Sequence, residues 1–284
     1  MAVLLALFSA IAYGLSDFVG GIVSRRTTAW SVAVLGNASS SLLLVALAVL
    51  VPGSPTGTDF AWAVLAGLGG GTGTGFLYRG FASGRMSVVA PVSAVGAAVV
   101  PVLVGVATGE RPDLVVWAGI VAAMPGIWLV SSTPASPMAG DTAGREGRLP
   151  PGLVDALLAG LGFGVLFAAL GQVPAGAGLW PLAVCQLVSV PSVVGLALLL
   201  RGAWVPRGRR VLWAVLAGTL GATATLTFLL ASQRGYLTVA GVLASLYPAT
   251  TVLLAASVLR EHIHRAQGVG LGLCALAVVL VATG

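Results

Sequence analysis

Residues 62–67 and residues 213–218 spell the same hexapeptide, Trp-Ala-Val-Leu-Ala-Gly, 151 positions apart. The register persists beyond it. Gly70 meets Gly221, Thr72 meets Thr223, Thr74 meets Thr225, Gly84 meets Gly235, Glu110 meets Glu261 and Gly119 meets Gly270. A single offset held from residue 62 to residue 119 is longer than any solenoid unit. The chain is therefore two homologous halves, and its fold must be one unit used twice.

The solvent of that unit follows from composition. Hydrophobic residues make up 58% of the chain and charged residues 8%, with a mean hydropathy of +1.04. A soluble domain carries about 25% charge, so this is a membrane protein. All 14 basic residues are arginine. A pI near 10.4 suggests nucleic acid at first sight. The arginines stand singly or in pairs between apolar runs, however, which fits membrane orientation and no nucleic-acid partner. Cys185 and Cys274 sit inside apolar runs and read as small buried hydrophobes, not as a disulfide or metal framework. The N-terminal run lacks a basic n-region and reads as an uncleaved first helix.

A spanning helix needs about 20 mostly apolar residues. Cutting at charges and Pro/Gly clusters gives ten: 2–23, 30–51, 60–80, 87–108, 114–132, 152–171, 179–200, 211–232, 237–258 and 266–283. Residues 133–151 are polar and Pro/Gly-rich and form a linker. The expected class is all-α: ten transmembrane helices as two five-helix repeats, residues 1–132 and 152–284. Five is odd, so the second repeat enters the membrane inverted. The loops after spans 1, 3, 5, 7 and 9 hold twelve of the fourteen arginines, and the other side holds only Arg111 and Arg234. The positive-inside rule then places the linker in the cytoplasm and both termini outside a plasma membrane.

Polar groups at membrane depth mark a cavity or a helix contact. In span 1, Tyr13 and Asp17 lie four apart on one face, and Asp17 is the one acid well inside a predicted span. A carboxylate there costs at least roughly 2.5–3.5 kcal/mol. It serves as a proton site, as an anchor for a substrate cation, or structurally, through a helix-tethering hydrogen bond or a pair with Arg79. Arg79 itself stands near the end of span 3, where it can also snorkel to the interface.

Span 3 carries a glycine run with Thr72 and Thr74, followed by Tyr78. Span 8 answers with Thr223, Thr225 and Thr227. The glycines suit close helix packing, and the threonines suit packing and cavity lining equally. Span 4 holds Pro91, Ser93 and Pro101, and span 9 holds Ser245, Tyr247 and Pro248. Proline-interrupted segments at corresponding places of two inverted halves point to a transport site. Glu110 and Glu261 read as salt-bridged turn residues that could also gate. Glu261-His262-Ile263-His264 reads as a solvated turn and not as a metal site, because no third strong ligand is near.

These features together resemble the drug/metabolite transporter superfamily in its ten-span EamA-type branch, over the whole chain. The residues that carry the resemblance are Tyr13-Gly14 through Asp17-Phe18; Ser87 to Pro91 with Gly109-Glu110-Arg111; and Ser245 to Pro248 with Arg260-Glu261. The resemblance implies a central cavity lined largely by spans 3, 4, 8 and 9, with contributions from 1 and 6. It also implies export of small metabolites without ATP. Two features depart from that pattern. Asp17 stands where Asn is usual, which puts proton coupling in question, and relatives are thought to keep both termini in the cytoplasm.

The expected function is a secondary active exporter of amino-acid-like or amphipathic compounds, working by alternating access as a monomer or weak homodimer. Its partners are a small-molecule substrate, the bilayer and protons as the candidate coupling ion through Asp17. No cofactor is expected. Without a Lys the chain cannot carry a Walker-type phosphate loop. Both His residues fall in a turn, so a His-based intramembrane hydrolase is disfavoured. A passive facilitator or exchanger and a lipid-handling protein stand as alternatives.

Overall fold

In a bilayer each backbone N–H and C=O must find its partner within the protein, and an apolar chain meets that demand by coiling into helices. The computed structural model describes residues 1–83, 86–131, 152–258 and 264–283. Arg85, Arg145, Arg148, Arg260, Glu261, His262 and the 133–151 linker fall outside these residues. The first half contains α1 (Ala2–Ser24), α2 (Ala29–Leu50), α3 (Gly57–Ser83), α4 (Met86–Ala107) and α5 (Leu114–Ser131). The second half contains α6 (Leu153–Leu170), α7 (Trp180–Leu199), α8 (Trp213–Ser232), α9 (Leu237–Ala244), α10 (Tyr247–Val258) and α11 (Arg265–Thr283). Among the described residues, seven helical segments are long and apolar enough to cross a membrane, and three shorter apolar segments accompany them. The outward faces are apolar: Leu42 is 75% exposed, Leu103 64% and Val121 66%. Such a surface is a liability in water and is at home against lipid tails.

One expected helix is broken. The 237–258 run divides at Ser245–Leu246, just before Pro248. Pro248 has no N–H to donate to the carbonyl four residues back, so the chain takes a tighter turn there, with Leu246 N–H donating to Leu243 O and Ala249 N–H to Leu246 O. Pro101 has the same chemistry, yet α4 runs unbroken past it.

The halves interdigitate. α3 packs on α6 and α7, α1 on α8, α9 and α10, α2 on α7 and α8, α4 on α6 and α9, and α5 on α11. Exchanging each helix for its repeat mate reproduces the same pairs: α3 on α6 becomes α8 on α1, and α3 on α7 becomes α8 on α2. Mates that touch run antiparallel. Gly119 of α5 lies against Val281 of α11, and Gly126 against Cys274. In α2, Ser41 reaches Gln186 near the start of α7, while beyond the far end Ser54 N–H bonds Gly176 O.

The two equivalent interfaces use different small residues. Along α3, Gly69 and Gly73 lie directly on Gly162 and Phe163 of α6; a Cβ on Gly162 would sit 2.6 Å from the Gly73 backbone nitrogen. The α1–α8 interface instead uses serine hydroxyls. Ser9 Oγ donates to Ala224 O and Ser16 Oγ to Ala217 O, both at 2.8 Å. Small residues and side-chain-to-carbonyl bonds are what hold helices together where water gives no apolar drive.

Gly162→Val should therefore cost about 2 kcal/mol by forcing α3 and α6 apart. Gly272→Ala, whose new methyl meets nothing within 4 Å, should be neutral. Thermal unfolding in detergent checks both, and equal midpoints for the two variants would contradict the close-packed seam.

Candidate functional site

A cavity of about 50 Å³ opens where the two halves meet. A site needs at least roughly 10–15 Å³ of such space to hold a water, so in this conformation the cavity admits only small groups. The second halves of α1 and α3 supply Tyr13, Ser16, Asp17, Thr74 and Tyr78. The middle of α2 supplies Asn37 and Ser40, and α7 supplies Gln186. Thr225 of α8 faces them, and Phe163 and Leu166 of α6 form an apolar wall. Gly70 and Gly221 line it too, so two repeat-mate pairs, Gly70 with Gly221 and Thr74 with Thr225, face one space.

Most of the hydroxyl hydrogens here are already committed. Thr74 Oγ1 donates to Gly70 O, Thr225 Oγ1 to Gly221 O and Ser40 Oγ to Gly218 O. Because Thr225 spends its one hydrogen, Tyr13 Oη must be the donor in their 2.9 Å bond. Gln186 Nε2 donates to the same Thr225 oxygen at 3.4 Å. Tyr13 is steadied further by edge contact with Phe167, whose ring stacks on Phe228 at 4.4 Å.

Two groups, Asp17 and the Asn37 amide nitrogen, have no such partner among the described residues. Asp17 is 8% exposed and makes no hydrogen bond or ion pair among the described residues. Asn37 is equally buried, and its Nδ2 is unpartnered.

Arg79 does not reach Asp17. It pairs with Asp155 on the first turn of α6, its Nε 2.9 Å from Oδ1, and its Cζ lies 4.9 Å from the Phe76 ring centroid and 5.9 Å from that of Trp30. The antiparallel course of α3 and α6 explains the choice. It sets the end of one helix beside the start of the other, so the nearest acid to Arg79 comes from the other half.

The remaining predicted residues fall elsewhere. Thr72, Thr223 and Thr227 bond carbonyls of their own helices and lie off this cavity. Ser93 spends its hydrogen on Ala90 O, so Tyr247 Oη donates to Ser93 Oγ at 3.0 Å, tying α10 to α4. Ser245 is fully buried on Gly241 O, and Pro248 is buried beside it. Pro91 lies within α4. No described side chain of α4 or α9 lines the cavity; the two helices pack on each other, with Pro101 against Gly241.

Glu110 makes no salt bridge among the described residues. Its carboxylate accepts the free N–H groups of Leu237 and Thr238 at the start of α9, the second at 2.9 Å. Exposed backbone donors and the positive end of the helix dipole both favour an acid there.

Sequence reasoning passed over Ser16, Asn37, Ser40, Gln186 and Asp155. The signal for Asn37 and Gln186 was present, since each is an amide inside an otherwise apolar span.

The EamA-like transporter family model matches residues 1–132 and 150–283. No curated protein matches. Twenty chains of solved structures match. One, titled only as a crystal structure of a protein, aligns with a TM-score of 0.73 and 16% identity over 99% of this chain and 96% of that one. That likeness shows the fold. The family match covers nearly the whole sequence, and the chain belongs to the EamA-like transporter family.

Asp155→Asn should leave the Arg79 guanidinium without its carboxylate and lower the unfolding temperature, as should Arg79→Gln. The double variant should lose less than the sum, since the two residues share one interaction. Strict additivity in detergent thermal unfolding would remove this ion pair from the account.

Proposed function

We propose that this member of the EamA-like transporter family is a secondary carrier that exports small metabolites by alternating access. Ten spans, as two inverted five-helix repeats (residues 1–132 and 152–284, joined by 133–151), would rock about the central cavity as a monomer or weak homodimer. One observation carries this reading: a cavity lined by hydroxyls, two amides and an acid that is unpaired among the described residues lies on the seam between the two repeats. Binding sites at the repeat interface near the bilayer midplane are the general arrangement of inverted-repeat carriers.

Asp17 is the group at which a proton or a substrate cation would be held. The arginine bias supports a plasma-membrane orientation with both termini outside and the linker in the cytoplasm. Glu110 would then hold α4 against α9 on the outer side, while the cavity lies closer to the inner ends of α1 and α3. The cavity accordingly holds water-sized groups in this conformation and would widen as the halves separate.

Counterflow in proteoliposomes tests the carrier directly. A labelled solute should exchange against an unlabelled pool of itself, faster than in protein-free vesicles. Linear flux without trans-stimulation would point to a passive facilitator and contradict alternating access. In intact cells a C-terminal tag should be reachable from outside, and a tag protected there would reverse the orientation.

A further inference from the structure

The cavity's hydrogen-bond inventory narrows what can bind in it, on the premise that it is the carrier's substrate site. The hydroxyls of Ser40, Thr74 and Thr225 have given their hydrogens to backbone carbonyls of neighbouring turns or helices, and Ser16 has done the same. What such oxygens still offer a guest is lone pairs. Asp17 adds a carboxyl group with no partner among the described residues. Against this array of acceptors stand few donors: Asn37 Nδ2, which has no partner among the described residues, the second Nε2 hydrogen of Gln186 and the Tyr78 hydroxyl. Among the described residues no Arg, Lys or His lines the space, and the neighbouring Arg79 is held by Asp155 beside the rings of Phe76 and Trp30.

We propose that the cavity binds a small ammonium compound bearing one oxygen acceptor, of the amino-alcohol class. The ammonium group donates to Asp17 and to the surrounding hydroxyl oxygens, and the oxygen accepts from Asn37. An ammonium beside a buried carboxylate satisfies both charges, and a charge-assisted bond is the strongest contact open to either. A solute with a carboxylate of its own, an amino acid or organic acid, would bury that charge with no cation facing it, which is unfavourable. Size agrees in that the cavity, at about 50 Å³, favours a compound as small as ethanolamine.

Four matched solutes test the assignment in binding and counterflow: ethanolamine, ethylamine without the oxygen, glycine with an added carboxylate, and glycolate without the amine. Ethanolamine should bind and exchange best. Ethylamine should be weaker by about tenfold, the cost of leaving Asn37 unpaired. Glycine and glycolate should not compete. Asp17→Asn should weaken ethanolamine by at least about tenfold while the unfolding curve stays cooperative. If Asp17→Asn fails to fold, the wild-type ranking of the four solutes decides alone. Glycine or glycolate matching ethanolamine would overturn the substrate class and leave the carrier standing. Exchange of none of the four, with exchange of some unrelated solute, would do the same. No exchange of any solute in a broad panel would overturn the carrier reading itself.

Discussion

Lipid tails are as apolar as leucine, so in a membrane no hydrophobic force drives one helix onto another. What remains is close approach, and this chain achieves it with small residues placed where its two halves cross. Gly69 and Gly73 let α3 lie on Gly162 of α6, and serines 9 and 16 bond the carbonyls of α8 at the equivalent crossing. Each half thus supplies the packing surface that the other lacks. The antiparallel course of the halves, the placing of Arg79 on Asp155 and the position of the cavity all follow from those crossings.

The same packing selects which polar groups are left for a guest. A hydroxyl on a membrane helix that bonds its own or a neighbour's carbonyl is structurally quiet, and most hydroxyls around the cavity are of this kind. Among the described residues Asp17 and Asn37 are the exceptions, because no backbone carbonyl accepts from a carboxylate and no spare acceptor reaches the amide nitrogen. Burial of such groups without partners is unfavourable in an apolar interior. Their cost is understandable where a ligand supplies the missing bonds during the cycle.

Much of this was legible in the sequence, for physical reasons. The apolar spans and the repeat register report on membrane depth and on duplication, both of which are local properties. The register even singled out Gly70, Thr74, Gly221 and Thr225, which converge on one cavity. The ion pair was not legible. It depends on which helix of the other half lies beside α3, and the sequence places Asp17 and Asp155 both within plausible reach of Arg79. Glu110 misled because a turn acid beside an arginine looks like a salt bridge, whereas the competing attraction is a helix start from the other half. Asn37 and Gln186 have no polar mates at the repeat offset, so a reading led by the register passes over them. The break in front of Pro248 shows the limit of proline as a signal: the same residue at position 101 leaves α4 continuous, and tertiary contacts decide between the two.

The central claim is that one cavity on the seam between two inverted halves opens to each side of the membrane in turn. Ser40→Cys, in a background with Cys185 and Cys274 replaced by Ala, places a single thiol on that cavity. A membrane-impermeant thiol reagent applied to sealed vesicles from either face measures its access. The account predicts modification from both faces, with a saturating transported solute shifting the balance between them. Modification from one face alone, whatever solute is present, would contradict it.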